Sequence, residues 1–568
     1  MILARFRHRV AHRKSHGGCY TCRQRHVKCD ESQPACHRCL SSGRYCLGYR
    51  PRPSSDRPPR IICPRPLPQS CALSDAESNA MDFFRYATIH ELPCASTFQI
   101  AWEPILLELA SRQPCIKGAV VALSSLHRSA TDGQDLELGR LAHREHTKSM
   151  SLLRAYIDTL DHSATDDDVT IVLVACLLFF AFEAFAAQDT RASIHVRAGL
   201  RLIEARRHVT NIPCTSYTER AVAVKLRCQD QFDIFMQIFM RLNSDYVLVG
   251  HDNPYLYPVC LDPIPAELTN LDDARLRLEF LEAEAISVFR NIQKQAHKTL
   301  QADTDLRLRN KDEIDCLVRA RMRTVSVDGA TTGGLKAVRE SLLSWSIAFS
   351  KIHDKKRSSL AQISAGITFS CLKFWFETWR DPDAMLIDQF RLQFEHALNL
   401  CVQYIEEHLA RTSAPTKNDQ STPSTPRSTP PAFSTGSNVV FCLILIVRHC
   451  RTSSVRHRGI SILEQINLQG VFDTAYLATY LRTVVEIEEQ DAKLQTGYSG
   501  DAESYQAHEI PATARLLEAV IMPSTPPSDL QTYKKEEVSF YTICNKQDSG
   551  GDGYHLGSPR LVARNVKR

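Results

Sequence analysis

Six cysteines near the N-terminus, Cys19, Cys22, Cys29, Cys36, Cys39 and Cys46, repeat the spacing C-x2-C-x6-C twice. Each half offers three thiolates, one fewer than the four that tetrahedral zinc requires, so two half-sites close only by sharing ligands. Two ions on six sulfurs need two bridging cysteines. The symmetric choice is the first of each half, Cys19 and Cys36, which gives each ion four sulfurs. The segment from Cys19 to Cys46 is 28 residues long, too short to bury an adequate apolar core. Bound zinc, worth about 10 to 16 kcal/mol in small finger peptides at neutral pH, would then supply most of its folding free energy.

Other uses of such cysteines fit less well. A disulfide framework needs an oxidising compartment, and the opening "MILARFRHRVAHRKS" lacks the apolar core of a secretory signal. A redox C-x-x-C belongs in a strand-to-helix setting, whereas Arg, Lys and Gly surround both pairs. A RING-type module needs eight interleaved ligands, and the next cysteine after Cys46 is the isolated Cys63.

Charge points to the partner. Residues 1–68 carry fifteen Lys or Arg against Asp30, Glu31 and Asp56, a net +12, while the whole chain is +5. A basic head on a mildly acidic body is the electrostatic footprint of a nucleic-acid reader. The −2 left by six thiolates and two zinc ions cannot absorb that charge. Residues 1–18 read as a basic, disordered arm, with Arg5, Arg7, Arg9, Arg13 and Lys14 suited to tracking a nucleic-acid backbone or to nuclear import.

The string "GCYTCRQRHVKCDESQPACHRCLSSGRYC" resembles the fungal Zn2Cys6 binuclear-cluster transcription factors. It has the six spaced cysteines, the basic run "RQRHVK" between the second and third, and Pro34 before Cys36. The resemblance implies a zinc-dependent, sequence-specific DNA-binding regulator of RNA polymerase II transcription, located in the nucleus. Its finger would read G·C-rich triplets from a short helix in the major groove. By resemblance Arg25 and His26 hold the base-reading positions, while Arg23 and Lys28 are assigned to phosphate oxygens. Many relatives carry a second Lys or Arg where this chain has His26. That exchange softens specificity at one base step or makes affinity pH-sensitive.

Residues 47–80 read as a proline-rich linker, with seven prolines among residues 51–68, which excludes a continuous helix. No apolar heptad follows the finger, so monomeric binding and pairing as a homodimer through the downstream domain both stay open. Residues 81–521 read as all-α. From Trp102 to Ala130 a helix pair is broken at Pro114, and Ile116, Val120, Leu123 and Leu126 recur at helical spacing. Ile171 to Phe182 is a run of twelve apolar residues, short of the roughly twenty that span a bilayer. A buried core helix is the expectation, and neither this run nor "VVFCLILIV" reads as a membrane segment.

The strings "AVVALSSLH", "ACLLFFAFE…HVRAGLRLI", "IFMRLN" and "IPAELTNLDDARLRLEFLEAEA" are similar, in order, to the fungal-specific transcription factor regulatory domain. That implies an α-helical bundle or solenoid that senses a metabolite or protein, with transcription machinery or co-regulators as partners. The alternative is a helical scaffold whose zinc module binds protein. No H-E-x-x-H, G-x-S-x-G or phosphate-cradling loop occurs, and the expectation is no enzymatic activity. His143 and His146 read as a solvated helix surface, and the thirteen cysteines after residue 68 as small buried hydrophobes. Residues 412–438, rich in Ser, Thr and Pro, read as a disordered insert whose Thr422, Thr425 and Thr429 precede prolines. Residues 522–568 read as a flexible tail.

Overall fold

A computed structural model describes most of residues 19–46, 74–207, 221–303, 309–352, 360–412, 432–522 and 537–565. The chain divides into two compact units, Met1–Ser70 and Cys71–Arg568. The expected arm 1–18 and residues 47–73 of the expected linker lie outside the described residues. Among the described residues of the first unit is the short helix α1 (His37–Leu40), started by Cys36, whose sulfur accepts from the Cys39 N–H.

The second unit opens with α2 (Asp75–Phe83), which runs on into a wider turn, Phe84–Thr88. Ser74 and Glu77 form a reciprocal capping box at its start, satisfying N–H groups that a helix terminus otherwise leaves bare. The linker therefore gives way to helix at Asp75, six residues before the expected boundary. Next come α3 (Gln99–Arg112) and α4 (Pro114–Thr131). Pro114 stands first in α4, where a missing N–H costs nothing. Ile116, Val120 and Leu123 are fully buried and Leu126 is half-buried.

The helices α5 (Leu136–Ile157), α6 (Asp166–Phe185) and α7 (Asp189–Arg206) complete the first layer. Every residue of α6 from Asp168 to Phe185 is buried. This helix is long and apolar enough to cross a membrane by composition, and it is wholly enclosed within the fold, as the core-helix expectation requires. Its start is fixed by a Thr165–Asp168 capping box and three successive acids in the first turn, which complement the positive end of the helix dipole.

After β1 (Ala221–Ala223) comes α8 (Gln231–Leu248), packed on α6 and α7. Gly199 of α7 faces Phe239 of α8 so closely that a Cβ there would lie 2.2 Å from the ring. β2 (Tyr257–Val259) pairs with β1 in parallel. A second layer is built from α9 (Leu271–Asp303), α10 (Lys311–Met322), α11 (Gly329–Ser350) and α12 (Leu360–Thr378). Its core holds Phe289, Val338, Leu342 and Trp345, and the Trp345 Nε1–H donates to the Ala274 carbonyl at 2.8 Å.

A third layer joins α12 to α13 (Arg391–Thr412), α14 (Asn438–His449), α15 (Ser453–Ile466) and α16 (Thr474–Thr496). Between them β3 (Ala432–Ser434) pairs in parallel with β4 (Leu468–Gly470). Within the expected disordered insert 412–438, Ala432–Ser434 form β3, while residues 413–431 and 435–437 lie outside the described residues. β5 (Leu516–Met522), β6 (Glu537–Gln547), β7 (Tyr554–Leu556) and β8 (Arg560–Asn565) form a four-stranded antiparallel sheet, β6 pairing with each of the others. The expected flexible tail 522–568 is corrected here, because much of it is strand. The helical class holds for the body, with this sheet appended.

A buried ionic network ties β5 to the third layer. Glu488 of α16 accepts from Arg451 at 3.0 Å, from Arg456, and from the Leu516 N–H at 2.8 Å. Burial alone would raise its pKa, but the two guanidinium groups bring it down to about 2. The neighbouring Glu489 has weaker partners, and burial pushes it up to about 7. Arg515 forms a two-pronged pair with Asp388 at 2.9 and 2.7 Å. Along β5, the Leu517 carbonyl accepts from Arg323 and Arg448, and the Ala519 carbonyl from Tyr480. Side chains thus satisfy carbonyls that a neighbouring strand would otherwise hold.

Candidate metal centre

The six-cysteine segment folds around its own sulfurs. Cys19, Cys22, Cys36 and Cys39 are fully buried, Cys29 is nearly so, and Val27 and Cys46 pack against them. The Sγ separations are 3.6 Å for Cys19–Cys36, 3.7 Å for Cys22–Cys36, and 3.8 Å for both Cys19–Cys39 and Cys22–Cys39. Four sulfurs at about 2.3 Å from a tetrahedral zinc stand about 3.8 Å apart, so the sulfurs are spaced as metal ligands.

The repeated spacing reappears as repeated geometry. The Cys22 N–H donates to Cys19 Sγ at 3.3 Å, and the Cys39 N–H to Cys36 Sγ at 3.3 Å. The Cys19 N–H donates to Cys29 Sγ at 3.4 Å, and the Cys36 N–H to Cys46 Sγ at 3.5 Å. Each half therefore wraps its first cysteine with the same two bonds. Backbone N–H groups aimed at sulfur stabilise negative charge there, as a thiolate cluster needs. Burial meanwhile pushes the Cys19 thiol up to about 12 and raises Cys22 and Cys36 as well. The bare thiols hold their protons, and metal binding must release them.

Asp30 locks the halves together. Its carboxylate lies with Cys29 and Cys36 inside 4.8 Å, yet its oxygens accept from the N–H groups of His37 and Arg38, both at 2.9 Å, and from Ser32. It caps α1 from the other half, and the bonds from Ser32 and Arg38 hold its carboxyl below the usual range. Arg25 crosses in the same direction, its Nη1 donating to Ser42 Oγ at 3.1 Å. Backbone bonds from Arg25 to Thr21 and from Val27 to Cys22 close a single helical turn after the first cysteine pair. Lys28 is exposed at the end of that turn. Arg23 and His26 lie outside the described residues.

The histidine pair of α5 separates. His143 faces solvent, whereas His146 is buried, stacked on Phe182 at 4.0 Å with Nε2 3.8 Å from Glu183 Oε1. This corrects the expectation of a solvated surface: α5 lays His146 on the aromatic side of α6. Burial, with His195, His143 and Arg191 nearby, lowers its pKa to about 4 and keeps it neutral. Among the described residues, only the finger brings three or more such ligand atoms within 4.8 Å of one another.

Comparison with known families agrees with this geometry. Residues 17–56 match the fungal Zn(2)-Cys(6) binuclear cluster domain, and residues 80–242 match the fungal specific transcription factor domain. The chain thus carries a match to a zinc-cluster domain followed by a match to a fungal specific transcription factor domain. Its cluster domain holds two zinc ions on six cysteines. The aspercryptin biosynthesis cluster-specific transcription regulator atnN of Emericella nidulans is 31% identical over 298 residues, 46% of this chain and 45% of that protein. A transcriptional regulatory protein of Schizosaccharomyces pombe is 36% identical over 147 residues, 22% of this chain and 26% of the relative. The Zn(2)-C6 fungal-type transcription factor afumD of Aspergillus fumigatus is 36% identical over 137 residues, 23% of this chain and 37% of the relative. The chain spans less than half the length of each of these Zn2Cys6-type or regulatory relatives. No solved structure matches.

Proposed function

We propose that the chain is a nuclear, zinc-dependent, sequence-specific DNA-binding protein that regulates RNA polymerase II transcription. The observation that carries this reading is the doubled cysteine half-site within a head of net charge +12 over residues 1–68. Cys19 and Cys36 bridge the two ions, and the remaining four cysteines are terminal ligands. The contact between Cys19 and Cys36 at 3.6 Å supports that assignment. Arg25 and His26 read G·C-rich triplets in the major groove, while Arg23 and Lys28 hold phosphates. Arg25 must release Ser42 to reach a base, which makes its reading conditional on docking. Duplex DNA is one partner, and transcription machinery or co-regulators meet the helical body.

The test is a titration of intact and finger-deleted chain against G·C-rich and random duplexes at two salt concentrations. The reading expects steep salt dependence and a preference for the specific site, both lost with the finger. Equal binding to both duplexes, or binding that survives deletion, contradicts it.

A further inference from the structure

Arg25 and Ser42 stand at equivalent places in the two halves of the finger, each three residues past the second cysteine of its pair. The backbone fixes both. The Arg25 N–H donates to the Thr21 carbonyl and the Ser42 N–H to the Cys39 carbonyl, each at 3.2 Å. Their side chains meet across the join between the halves, with Arg25 Nη1 donating to Ser42 Oγ at 3.1 Å.

Ser42 is arranged to accept. Its Oγ lies 2.9 Å from the Arg38 carbonyl and 3.0 Å from the Cys39 carbonyl, and a serine hydroxyl has one proton and two lone pairs. That proton is committed to the carbonyls at the end of α1, which leaves a lone pair for the guanidinium. An oxygen whose proton is already shared is also the stronger acceptor. The bond is exposed, and one exposed bond adds little to a fold that zinc holds. Its effect falls on Arg25, whose guanidinium it keeps on the second half of the finger.

On the reading of Arg25 as a base reader, we propose that Ser42 is a positioning residue: it sets the finger's affinity for DNA by holding Arg25 until a duplex displaces it. Docking exchanges one acceptor for others. The guanidinium gives up Ser42 Oγ and gains O6 and N7 of a guanine, so the bond to Ser42 is a competitor that every specific complex must overcome. Residue 42 is therefore a control point. A methyl group there releases Arg25 without that competition. A carboxylate there holds it in a charge-assisted bond, roughly twice as strong as the neutral one, and weakens binding.

The test titrates the full, zinc-loaded chain against a G·C-rich duplex and a random one at one salt concentration. S42A should bind the G·C-rich duplex about two- to tenfold more tightly than the parent, as expected for removing one competing hydrogen bond. S42D should bind it more weakly, and S42T, which keeps the hydroxyl, should match the parent. Damage to the fold would weaken S42A, so the sign separates positioning from support. Zinc content is checked in each variant, and S42G, which removes the same acceptor at a helix end that glycine suits, replaces S42A if that chain loses metal. In an R25A background S42A should have no effect. R25A alone tests the base-reading assignment: it should lose affinity for the G·C-rich duplex and lose less for the random one. An R25A chain that binds both duplexes as the parent does overturns that assignment and the proposal together. If R25A does lose affinity, the proposal alone is overturned by an S42A chain no tighter than the parent, or by an S42A gain that persists in the R25A background.

Discussion

The finger and the helical body solve the same problem with opposite means. The finger has a core of sulfur, with Val27 packed beside its cysteines, and its fold depends on ions that supply the free energy an apolar core cannot. The body buries whole helices such as α6 and closes its third layer with the Arg451–Glu488–Arg456 network. One unit depends on a ligand and the other on its own packing, so the two should fail under different insults.

The largest expected effect follows directly. A strong chelator should unfold the finger, removing about 10 to 16 kcal/mol of metal-derived stabilisation, while the thermal transition of the body stays in place. Calorimetry with and without chelator checks this, and a body transition that shifts along with zinc loss would break the contrast. Within the body, R456M leaves the fully buried Glu488 short of one guanidinium. Breaking such a pair costs about 3 to 5 kcal/mol, to be read from denaturant unfolding followed by helix signal, with zinc content unchanged. G199A forces a methyl against Phe239 at the α7–α8 contact and should cost about 1 to 3 kcal/mol by overpacking.

The smallest effect sharpens the picture through pH. Glu488 has its pKa lowered in the fold from 4.5 to about 2, so its contribution is present above its unfolded pKa and is lost as pH falls through about 2. Glu489 is raised from 4.5 to about 7. Its neutral form is the one the fold prefers, so stability declines as pH rises from 4.5 towards 7. At mildly alkaline pH, E489Q should stabilise the body and E488Q destabilise it. Unfolding curves for the two adjacent variants, measured at acidic and alkaline pH, decide whether the signs are opposite.

Much of this was legible in the sequence where the signal is local. The cysteine spacing forces two equivalent half-sites, and the structure repeats their hydrogen bonds pair for pair. The twelve-residue apolar run read as a core helix because it is too short to span a bilayer, and Pro114 marked the break between two helices, where the structure places it first in α4. What escaped depends on contacts between distant segments. Arg456 and Glu488 lie on different helices, and no spacing rule pairs them. His146 sits beside charged Arg144 and Glu145 in sequence, yet helical rotation turns it towards Phe182. The C-terminal strands were a different kind of miss. Val538 to Cys544 is a β-branched and aromatic run, a usable strand signal, which the Ser, Gly and Asp residues after it obscured.

Elemental analysis of the purified chain tests the central claim most directly. Two equivalents of zinc per chain, released together with loss of the finger's fold on chelation, are predicted; fewer than two, or a finger that keeps its fold without them, would contradict a shared six-sulfur centre.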